Sequence, residues 1–424
     1  MSAALNQKSI LRSAFDAALT AGHPGRITRA AIQKLRLQPT AIIAIGKAAA
    51  SMAQAARDAG LTAPGIMVTN DESFAPIAGM DCFASAHPVP DQRGVDAANA
   101  IGALVDRLGG DDHLLLLISG GGSALVPALP EGISLADKQQ LNEALLGSGL
   151  DIHEMNIVRR LFSALKGGRL ARRAYPAGVT SFLLSDVPGD RLESIASGPA
   201  VADPIDFDAA CALIRQHKLD ELPFVPPYLA ALEVDPTRRP VAIGDPVMDN
   251  VTSEILASNQ LCQDAANDYM TASGEFANGQ GRFDLPPLVG DVRDCALALA
   301  DAVCAASPVG YGVTGGETTV QLGDGGVGLG GRSQELALIF AAIMHERGDA
   351  PAGWTILAGG TDGRDGPTDA AGAIIGASDD WDGRAAMAAL DGHDVYPLLS
   401  RQNQLLEVEP TGTNLADIVI ISVN

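Results

Sequence analysis

The sequence predicts an α/β protein in which a parallel sheet with helices on both faces is followed by a second compact unit. Residues 114–118 are five consecutive large apolar residues, which is typical of a strand buried on both faces. Apolar runs alternate with helical periodicity through the first half of the chain, as in βαβ units. A Pro-rich passage at 222–240 predicts a boundary between a domain of residues 1–239 and one of residues 240–424.

Composition limits the partners and the compartment. The 424 residues include 51 acidic and 29 basic side chains, and the formal charge of −22 disfavours binding to nucleic acids and to anionic membranes. No lysine follows Lys218, so any cationic contact from the second half must come from arginine. Five scattered cysteines without a CxxC pair favour reduced thiols. Because the sequence also lacks a signal-type start and a membrane-length apolar run, we expect a cytoplasmic protein.

The first predicted strand, residues 41–45, follows two amphipathic helices and runs directly into Gly46, Lys47 and an alanine-rich helix start. Ligands of open α/β sheets bind at the carboxyl ends of strands, which makes Lys47 a candidate binding residue. The alternative is a solvated surface lysine. Strands at 65–69 and 82–85 and a helix over 91–108 continue the alternation, and His87 is assigned to a turn.

A glycine-rich turn follows the apolar strand at 114–118. It consists of Ser119, Gly120, Gly121, Gly122 and Ser123. Successive glycines allow backbone N–H groups to converge on an anion, and the helix that begins after them favours phosphate or carboxylate. Tight packing of backbone is the alternative explanation.

Two helices are predicted next, at 135–146 and 153–165, and the second ends at Lys166-Gly167-Gly168. Basic residues concentrate in the second helix and just after it. The cluster comprises Arg159, Arg160, Lys166, Arg169, Arg172 and Arg173. In so acidic a chain this is an unusual concentration of positive charge, although basic residues at the end of a helix also complement the helix dipole.

Two carboxylates follow the next predicted strand, residues 178–184. Asp186 and Asp190 flank a Pro-Gly turn, where they can converge as metal-phosphate or proton-transfer chemistry requires. A plain turn is the alternative.

The second unit is predicted to contain a strand at 240–243, helices at 250–269 and 291–306, and a strand pair in 309–322 joined near Gly315-Gly316-Glu317. Arg332 then begins a helix, where a cation is disfavoured unless an anion lies nearby, so we predict an anion site rather than a surface arginine. Asp362 and Asp365 lie in an Asp/Gly loop after a strand at 354–358; a substrate or metal-water contact and a structural turn both fit this loop.

One pattern argues for a nicotinamide cofactor but is incomplete. Residues 326–331 match G-x-G-x-x-G before a helix. No acidic residue follows about 20 positions later at the end of a second strand, so the ribose anchor is missing. The match is attributed to chance in a chain with 47 glycines.

Seven motifs in order resemble glycerate 2-kinases of the MOFRL type, and the resemblance runs from about residue 8 to the C-terminus. The motifs are Gly46-Lys47-Ala48-Ala49, Ser119-Gly120-Gly121-Gly122-Ser123-Ala124, Leu165-Lys166-Gly167-Gly168-Arg169-Leu170, Ser185-Asp186-Val187-Pro188-Gly189-Asp190, Gly315-Gly316-Glu317-Thr318, Gly331-Arg332-Ser333-Gln334-Glu335 and Thr361-Asp362-Gly363. One departure is Ser333, where the family usually has asparagine.

The resemblance implies a Rossmann-like N-terminal domain, a smaller C-terminal α/β domain, and an active-site cleft between them. It also implies ATP, Mg²⁺ and transfer to the 2-hydroxyl of D-glycerate, with small molecules as partners and a homodimer left open. Lys47 and Arg332 are expected to hold the glycerate carboxylate and to neutralise the migrating phosphoryl group, and Asp190 to orient or deprotonate the hydroxyl. Asp186 and Asp362 are expected near the metal. The turn at 119–123, Lys166 and Glu317 complete the expected set that binds substrate and phosphate.

Two other functions compete with the kinase. One is an NAD(P)H-dependent hydroxypyruvate reductase, and the other is a non-catalytic sugar-acid-binding protein with the same cleft. The chain shows no DNA-binding module, which disfavours a sensor.

Overall fold

The computed structural model describes residues 2–187, 189–274, 281–306, 309–322 and 328–424. The chain divides into two compact units. Residues 24–256 form one, called here the parallel-sheet unit, and residues 1–23 with 257–424 form the other, called the C-terminal unit. The predicted boundary at 239/240 lies 17 residues before this one. The first helix belongs with the C-terminal unit because it packs on one helix and three strands there.

The parallel-sheet unit alternates strands and helices. Its strands are β1 Ala41–Ile45, β2 Gly65–Asn70, β3 Met80–Ser85, β4 His113–Ile118, β5 Gly178–Ser185 and β6 Val251–Ser258, the last of which ends across the unit boundary. Its helices are α2 Pro24–Leu35, α3 Ala49–Asp58, α4 Gln92–Val105, α5 Gly122–Leu125, α6 Leu135–Gly147, α7 Ile152–Leu161, α8 Arg169–Ala174, α9 Phe207–Gln216 and α10 Val225–Val234.

The sheet has the strand order β3-β2-β1-β4-β5-β6, and β1 to β5 pair in parallel. This confirms the predicted α/β class. The order reverses between β1 and β4, and such a switch point is where open α/β sheets bind ligands. Ile45 is in register with Ile118, so the turn that carries Lys47 and the turn at 119–123 leave the sheet side by side.

Two hydrophobic cores support this edge of the sheet. One lies between the strands and α4, α5 and α8, and all five apolar residues 114–118 of β4 are buried. The other is built by α6, α7, α9 and α10 around Phe162, whose ring lies 4.7 Å from that of Tyr228. The second core fixes the helices α6 and α7 that carry the basic residues described below.

The C-terminal unit contains a mixed six-stranded sheet. Its strands are β7 Leu288–Asp291, β8 Gly310–Thr319, β9 Trp354–Gly360, β10 Gly372–Gly376, β11 Leu405–Leu406 and β12 Asp417–Val423, in the order β11-β10-β9-β12-β8-β7. Its helices are α1 Ser2–Ala21, α11 Asn259–Ala272, α12 Val292–Ala305, α13 Arg332–Glu346, α14 Gly383–Asp391 and α15 Val395–Arg401. Among the described ladders of this second sheet, β7 and β8 pair in parallel and the others are antiparallel.

Three predicted elements of the second half are wrong. The segment predicted as a helix over 250–269 begins with a strand, β6, and becomes helical only at Asn259. β8 is one continuous strand rather than a pair, because it passes through Gly315 and Gly316 without a turn. Its residues 310–316 pair with β12 and its residues 316–319 pair with β7. Residues 240–243 form a single isolated bridge from Ala242 to Asp203 instead of a strand.

The structure bears on two expectations drawn from composition, one about the cysteines and one about membrane-spanning helices. All five cysteines are free thiols, as predicted. Among the helices of the described residues, none has the length and apolarity that crossing a bilayer requires.

Candidate active site

The turn after β1 depends on a glycine. Gly46 has φ +125°, and a Cβ there would lie 2.2 Å from Ser119 Oγ and 2.5 Å from the Ser119 carbonyl oxygen. The close approach lets the Lys47 N–H donate to Gly120 O at 2.9 Å and the Ala48 N–H donate to Ser119 Oγ at 3.0 Å. Backbone groups therefore hold Lys47 against the turn at 119–123, independently of its ammonium group.

The turn at 119–123 has the properties of an anion cradle. Gly121 adopts a left-handed conformation at φ +81°, which an L side chain rarely tolerates. A Cβ on it would lie 3.3 Å from Lys47 Cγ and 3.4 Å from His87 Cδ2, so those two side chains flank the turn. Among the described residues, no acceptor for the N–H groups of Gly120 and Gly121 is found.

A cavity of about 230 Å³ opens beside this turn. Basic side chains reach it from three elements, and none of its lining residues is acidic. The lining includes two residues of the turn and four side chains that are basic or can become so: Gly121, Ser123, His87, Lys138, Arg159 and Lys166.

Lys166 is buried at 4% exposure, and its Nζ donates to both the carbonyl oxygen and Oγ of Ser123 at 2.7 Å. Ser123 Oγ also shares a hydrogen bond of 3.0 Å with Ser197 Oγ. Burial, followed by repulsion from Lys138 and Arg159, lowers the pKa of Lys166 well below its usual value. The predicted residue Lys166 thus faces the cavity and fixes the second serine of the turn.

Lys138 extends the basic lining, and the sequence analysis did not select it. It is 3% exposed, and its Nζ donates to Phe162 O at 2.8 Å. Burial, with smaller contributions from Arg159 and Arg169, lowers the pKa of Lys138 to about 7. A usable signal was present in the sequence, because Lys138 occupies the same helical stripe as the buried Leu141 and Leu145.

Histidine and arginine side chains complete this electropositive pocket. Burial and then the charge of Lys47 lower the pKa of His87, which favours its neutral form near pH 7. Within the described residues, Arg159 donates one weak hydrogen bond of 3.4 Å, to Asn156 Oδ1. Burial lowers the pKa of Arg159. His87 therefore borders the cavity, although the sequence assigned it to a turn.

Asp186 and Asp190 follow β5, which neighbours β4 in the sheet. Both are partly buried, and Asp190 has a left-handed φ of +52° with its N–H donating to Val187 O at 3.0 Å. Pro188, between them, lies outside the described residues. The pair thus leaves the same sheet edge as the cradle, while its convergence stays a prediction.

Arg332 belongs to the C-terminal unit and is already paired with carboxylates. Its Nε and Nη2 donate to Asp417 at 2.6 and 2.9 Å, and its Nη1 lies 2.6 Å from Glu317 Oε1. Although burial opposes it, these carboxylates raise the pKa of Arg332. The anion predicted near this helix start is thus supplied in part by the protein, and the sequence missed Asp417 because it lies 85 residues away.

Asp362 and Asp365 have different surroundings. Asp365 is 3% exposed and accepts hydrogen bonds from the N–H groups of Ser333 at 3.0 Å and Gln334 at 2.8 Å, so it caps α13. Asp362 is less buried and accepts from Arg364 N–H at 3.0 Å. The structural alternative therefore holds for Asp365.

Replacing Asp365 with asparagine is expected to change how stability depends on pH. Burial raises the pKa of Asp365 to about 7, against 3.8 for a free carboxyl, so the folded state binds more protons between these values. The resulting stability is present below pH 4 and is lost as the pH rises through 7. Between pH 5 and pH 8, wild type should lose about 2 to 4 kcal/mol relative to Asp365→Asn, measured by denaturant unfolding.

The exposed Asp391→Asn substitution is the control for this measurement. Parallel pH dependence of the wild type and Asp365→Asn would contradict a strongly shifted carboxyl.

The predicted residues fall into two groups. Lys47 lies against the turn at 119–123, and two residues of that turn, Gly121 and Ser123, line one cavity together with Lys166. Asp186 follows the neighbouring strand β5. Glu317 and Arg332 form an ion pair in the C-terminal unit. Asp362 lies near them, since the Cβ position of Gly360 is 3.1 Å from Asp362 Oδ1 and 3.4 Å from Asp417 Oδ1. The first two residues of the pattern at 326–331 lie outside the described residues.

Comparison with known proteins covers nearly the whole chain. Residues 10–227 match a domain of unknown function, DUF4147, and residues 311–417 match the MOFRL family. A D-glycerate 2-kinase of Thermotoga maritima is 34% identical over 417 residues, covering 94% of this chain and 94% of the relative. The crystal structure of a glycerate kinase from T. maritima matches with a TM-score of 0.85 at 31% identity, covering 99% of this chain and 100% of that one.

Two relatives carry a different name. A protein of Agrobacterium vitis named for hydroxypyruvate reductase is 35% identical over 439 residues, covering 98% of this chain and 94% of the relative. Similarity alone therefore brings both a kinase and a reductase name to this fold.

Proposed function

The chain belongs to the MOFRL family of glycerate kinases, and we propose that it transfers the γ-phosphoryl group of ATP to the 2-hydroxyl of D-glycerate. Kinases among its relatives at about one-third identity span almost its full length. The cavity at the switch point of the parallel sheet carries the proposal, because it joins a glycine cradle to several basic side chains with no lining carboxylate. Such a pocket suits an anionic substrate.

Lys47 is proposed to neutralise charge on the migrating phosphoryl group. Phosphoryl transfer requires little covalent work from a protein, so positioning and electrostatic stabilisation dominate the rate. The backbone N–H of Lys47 is bound to Gly120 O, which fixes its Cα beside the cradle and leaves the ammonium group to contact substrate. The unpaired N–H groups of Gly120 and Gly121 are proposed to bind phosphate or carboxylate oxygens.

Asp190 is proposed to orient or deprotonate the 2-hydroxyl of the acceptor. Arg332 and Glu317 of the C-terminal unit are also proposed to bind substrate, with the charge of Arg332 moderated by its two carboxylate partners. If Arg332 takes part in transfer, an anionic substrate must compete with a carboxylate for its guanidinium group. Glu317 is the partner to be displaced, because its side chain is 51% exposed against 4% for Asp417.

The carboxylates present fit Mg²⁺. The described residues contain no group of three or more His, Cys, Asp or Glu side chains placed to hold a metal. Mg²⁺ in kinases is usually held by one or two protein carboxylates together with substrate phosphates and water, so Asp186 or Asp362 suffices as its protein ligand. When bound, the ion would supply positive charge that offsets the charge of the phosphate groups.

Measuring both candidate reactions on one preparation tests this function. We expect ADP formation that depends on D-glycerate and Mg²⁺, and a 2-phosphoglycerate signal in the phosphorus NMR spectrum of the product. The reductase alternative predicts oxidation of NADH or NADPH by hydroxypyruvate without ATP. That activity in the absence of phosphorylation would refute the kinase.

The sequence of the β1–α3 turn favours the kinase over the reductase. In this strand order, a dinucleotide-binding protein carries three glycines in the first βα turn. Here only Gly46 is present, and Lys47, Ala48 and Ala49 occupy the following positions. A non-catalytic sugar-acid-binding protein would bind D-glycerate without releasing ADP, and the same assay separates it.

A further inference from the structure

We propose that Lys138 and Arg159, together with Lys166, form the subsite that binds the carboxylate of the three-carbon acceptor and thereby selects acidic over neutral alcohols. This inference rests on the proposed function and adds two specificity residues to it. Both residues line the cavity beside the glycine cradle, on the helices α6 and α7.

Charge balance is the first argument. Among the described residues, repulsion from Arg159 and Arg169 lowers the pKa of Lys138, and repulsion from Lys138 and Arg159 lowers the pKa of Lys166. All of them are basic, and no lining residue of the cavity is acidic. Buried charges without a partner are costly, so a structural role would be expected to provide a carboxylate. Arg160, one residue away, has one in Asp203 at 2.6 Å, both side chains being under 5% exposed.

Unused hydrogen-bond donors are the second argument. A lysine ammonium has three N–H donors. Within the described residues, Lys138 Nζ uses one on Phe162 O, and Lys166 Nζ uses two on Ser123. Arg159 makes only its weak bond to Asn156. The two lysines are therefore held in place by short hydrogen bonds, and all three side chains retain donors for the two oxygens of a carboxylate.

Cavity size selects the acceptor over the nucleotide. The cavity measures about 230 Å³, below the roughly 300 to 1,000 Å³ of pockets that enclose drug-sized ligands. A three-carbon hydroxy acid fits this space, whereas a nucleoside triphosphate does not. A phosphate group of the donor has similar chemistry and is the alternative that the experiment separates.

Steady-state kinetics of Lys138→Met and Arg159→Met test the subsite. We expect each substitution to raise the KM for D-glycerate by about 10- to 100-fold, the value of one charge-assisted hydrogen bond, and to change the KM for ATP by less than about threefold. Lys34→Met, on the exposed face of α2, is the matched control. A rise in the KM for ATP alone would assign the cations to the donor phosphates, and an unchanged KM for both substrates would also overturn the proposal.

Calorimetric binding provides a readout that does not depend on turnover. The pKa of Lys138 is about 7, and His87, Arg159, Arg169 and Lys166 are the titratable or charged groups around the cavity and its lysines. A bound carboxylate should raise that pKa, so D-glycerate binding at pH 8 should take up protons, seen as a dependence of the binding enthalpy on the buffer. Lys138→Met should lose this uptake, and glycerol should not bind measurably.

These measurements separate failure of the subsite from failure of the proposed function. If wild type binds D-glycerate with proton uptake but does not phosphorylate it, the kinase assignment fails and the subsite stands. If wild type is an active glycerate kinase but Lys138→Met keeps its KM and proton uptake, the subsite fails alone. Unfolding curves of each variant verify that it is folded.

Discussion

Lys47→Met is expected to lower kcat by about 10³-fold with little effect on stability, because it removes one preorganised cation from the transferring phosphoryl group. The fold should tolerate the change, because the backbone groups of Lys47 hold it in place and its side chain does not. Its N–H donates to Gly120 O, and its carbonyl oxygen accepts from Thr69 Oγ1 at 3.4 Å. The measurement is kcat at saturating ATP and D-glycerate.

The control for Lys47→Met is again Lys34→Met, which removes one positive charge from an exposed helix position. Methionine keeps most of the length and flexibility of lysine, so the comparison isolates the ammonium group. A kcat within tenfold of wild type would show that Lys47 is not the group that stabilises transfer.

Gly46→Ala is expected to reduce the free energy of unfolding by about 3 to 5 kcal/mol, which lowers Tm by roughly 10 °C. The new methyl group would lie 2.2 Å from Ser119 Oγ and 2.5 Å from the Ser119 carbonyl oxygen, and the backbone φ of +125° is already unfavourable for alanine. Relief requires β1 and β4 to separate at their ends. The cradle should therefore lose its geometry together with stability.

Gly60→Ala separates the two causes in this prediction. Gly60 also has a positive φ, +89°, but a Cβ there meets no atom within 4 Å. Its replacement should cost about 1 to 2 kcal/mol from backbone strain alone. Equal losses of stability for Gly46→Ala and Gly60→Ala would mean that contact with Ser119 is not the dominant effect.

The pH dependence of stability tests whether Lys138 is buried at a cost to the folded state. Lys138→Met removes a charge that burial disfavours, but it leaves Phe162 O without its donor. A lysine whose pKa is lowered in the folded state loses stability as the pH falls from about 10 to 7. The free energy of unfolding of Lys138→Met, relative to that of wild type, should therefore be higher at pH 6 than at pH 9. Binding of the acceptor should weaken in the same variant.

The elements around the cradle were predictable because their signals are local. The apolar run at 114–118 is buried on both faces, and Lys47 and the turn at 119–123 each follow a strand directly. Parallel pairing then brings their ends together without further information. The misassigned segment at 250–269 had weaker signals, since β6 has an alternating pattern of only eight residues before a helix of similar polarity.

The basic cavity and the partners of Arg332 were not predictable in this way. Lys138 and Arg159 reach the cavity only because the four-helix core holds α6 and α7 beside the turn that follows β4. Asp417 reaches Arg332 because β12 pairs between β8 and β9. A sequence gives residue types and spacing along one element, and it does not give which elements become neighbours.

The sequence by itself determined the α/β class, the strand ends that bear Lys47 and the glycine cradle, and the resemblance to glycerate kinases. Hydrophobic periodicity and glycine placement act over a few residues, so they can be recognised in one dimension. Only the tertiary structure decided that Lys138, Arg159 and Lys166 share a cavity without an acid, and that Arg332 is paired with two carboxylates. Charge and burial at those positions depend on packing between segments far apart in the chain, and that packing fixes which ionised groups lack a partner.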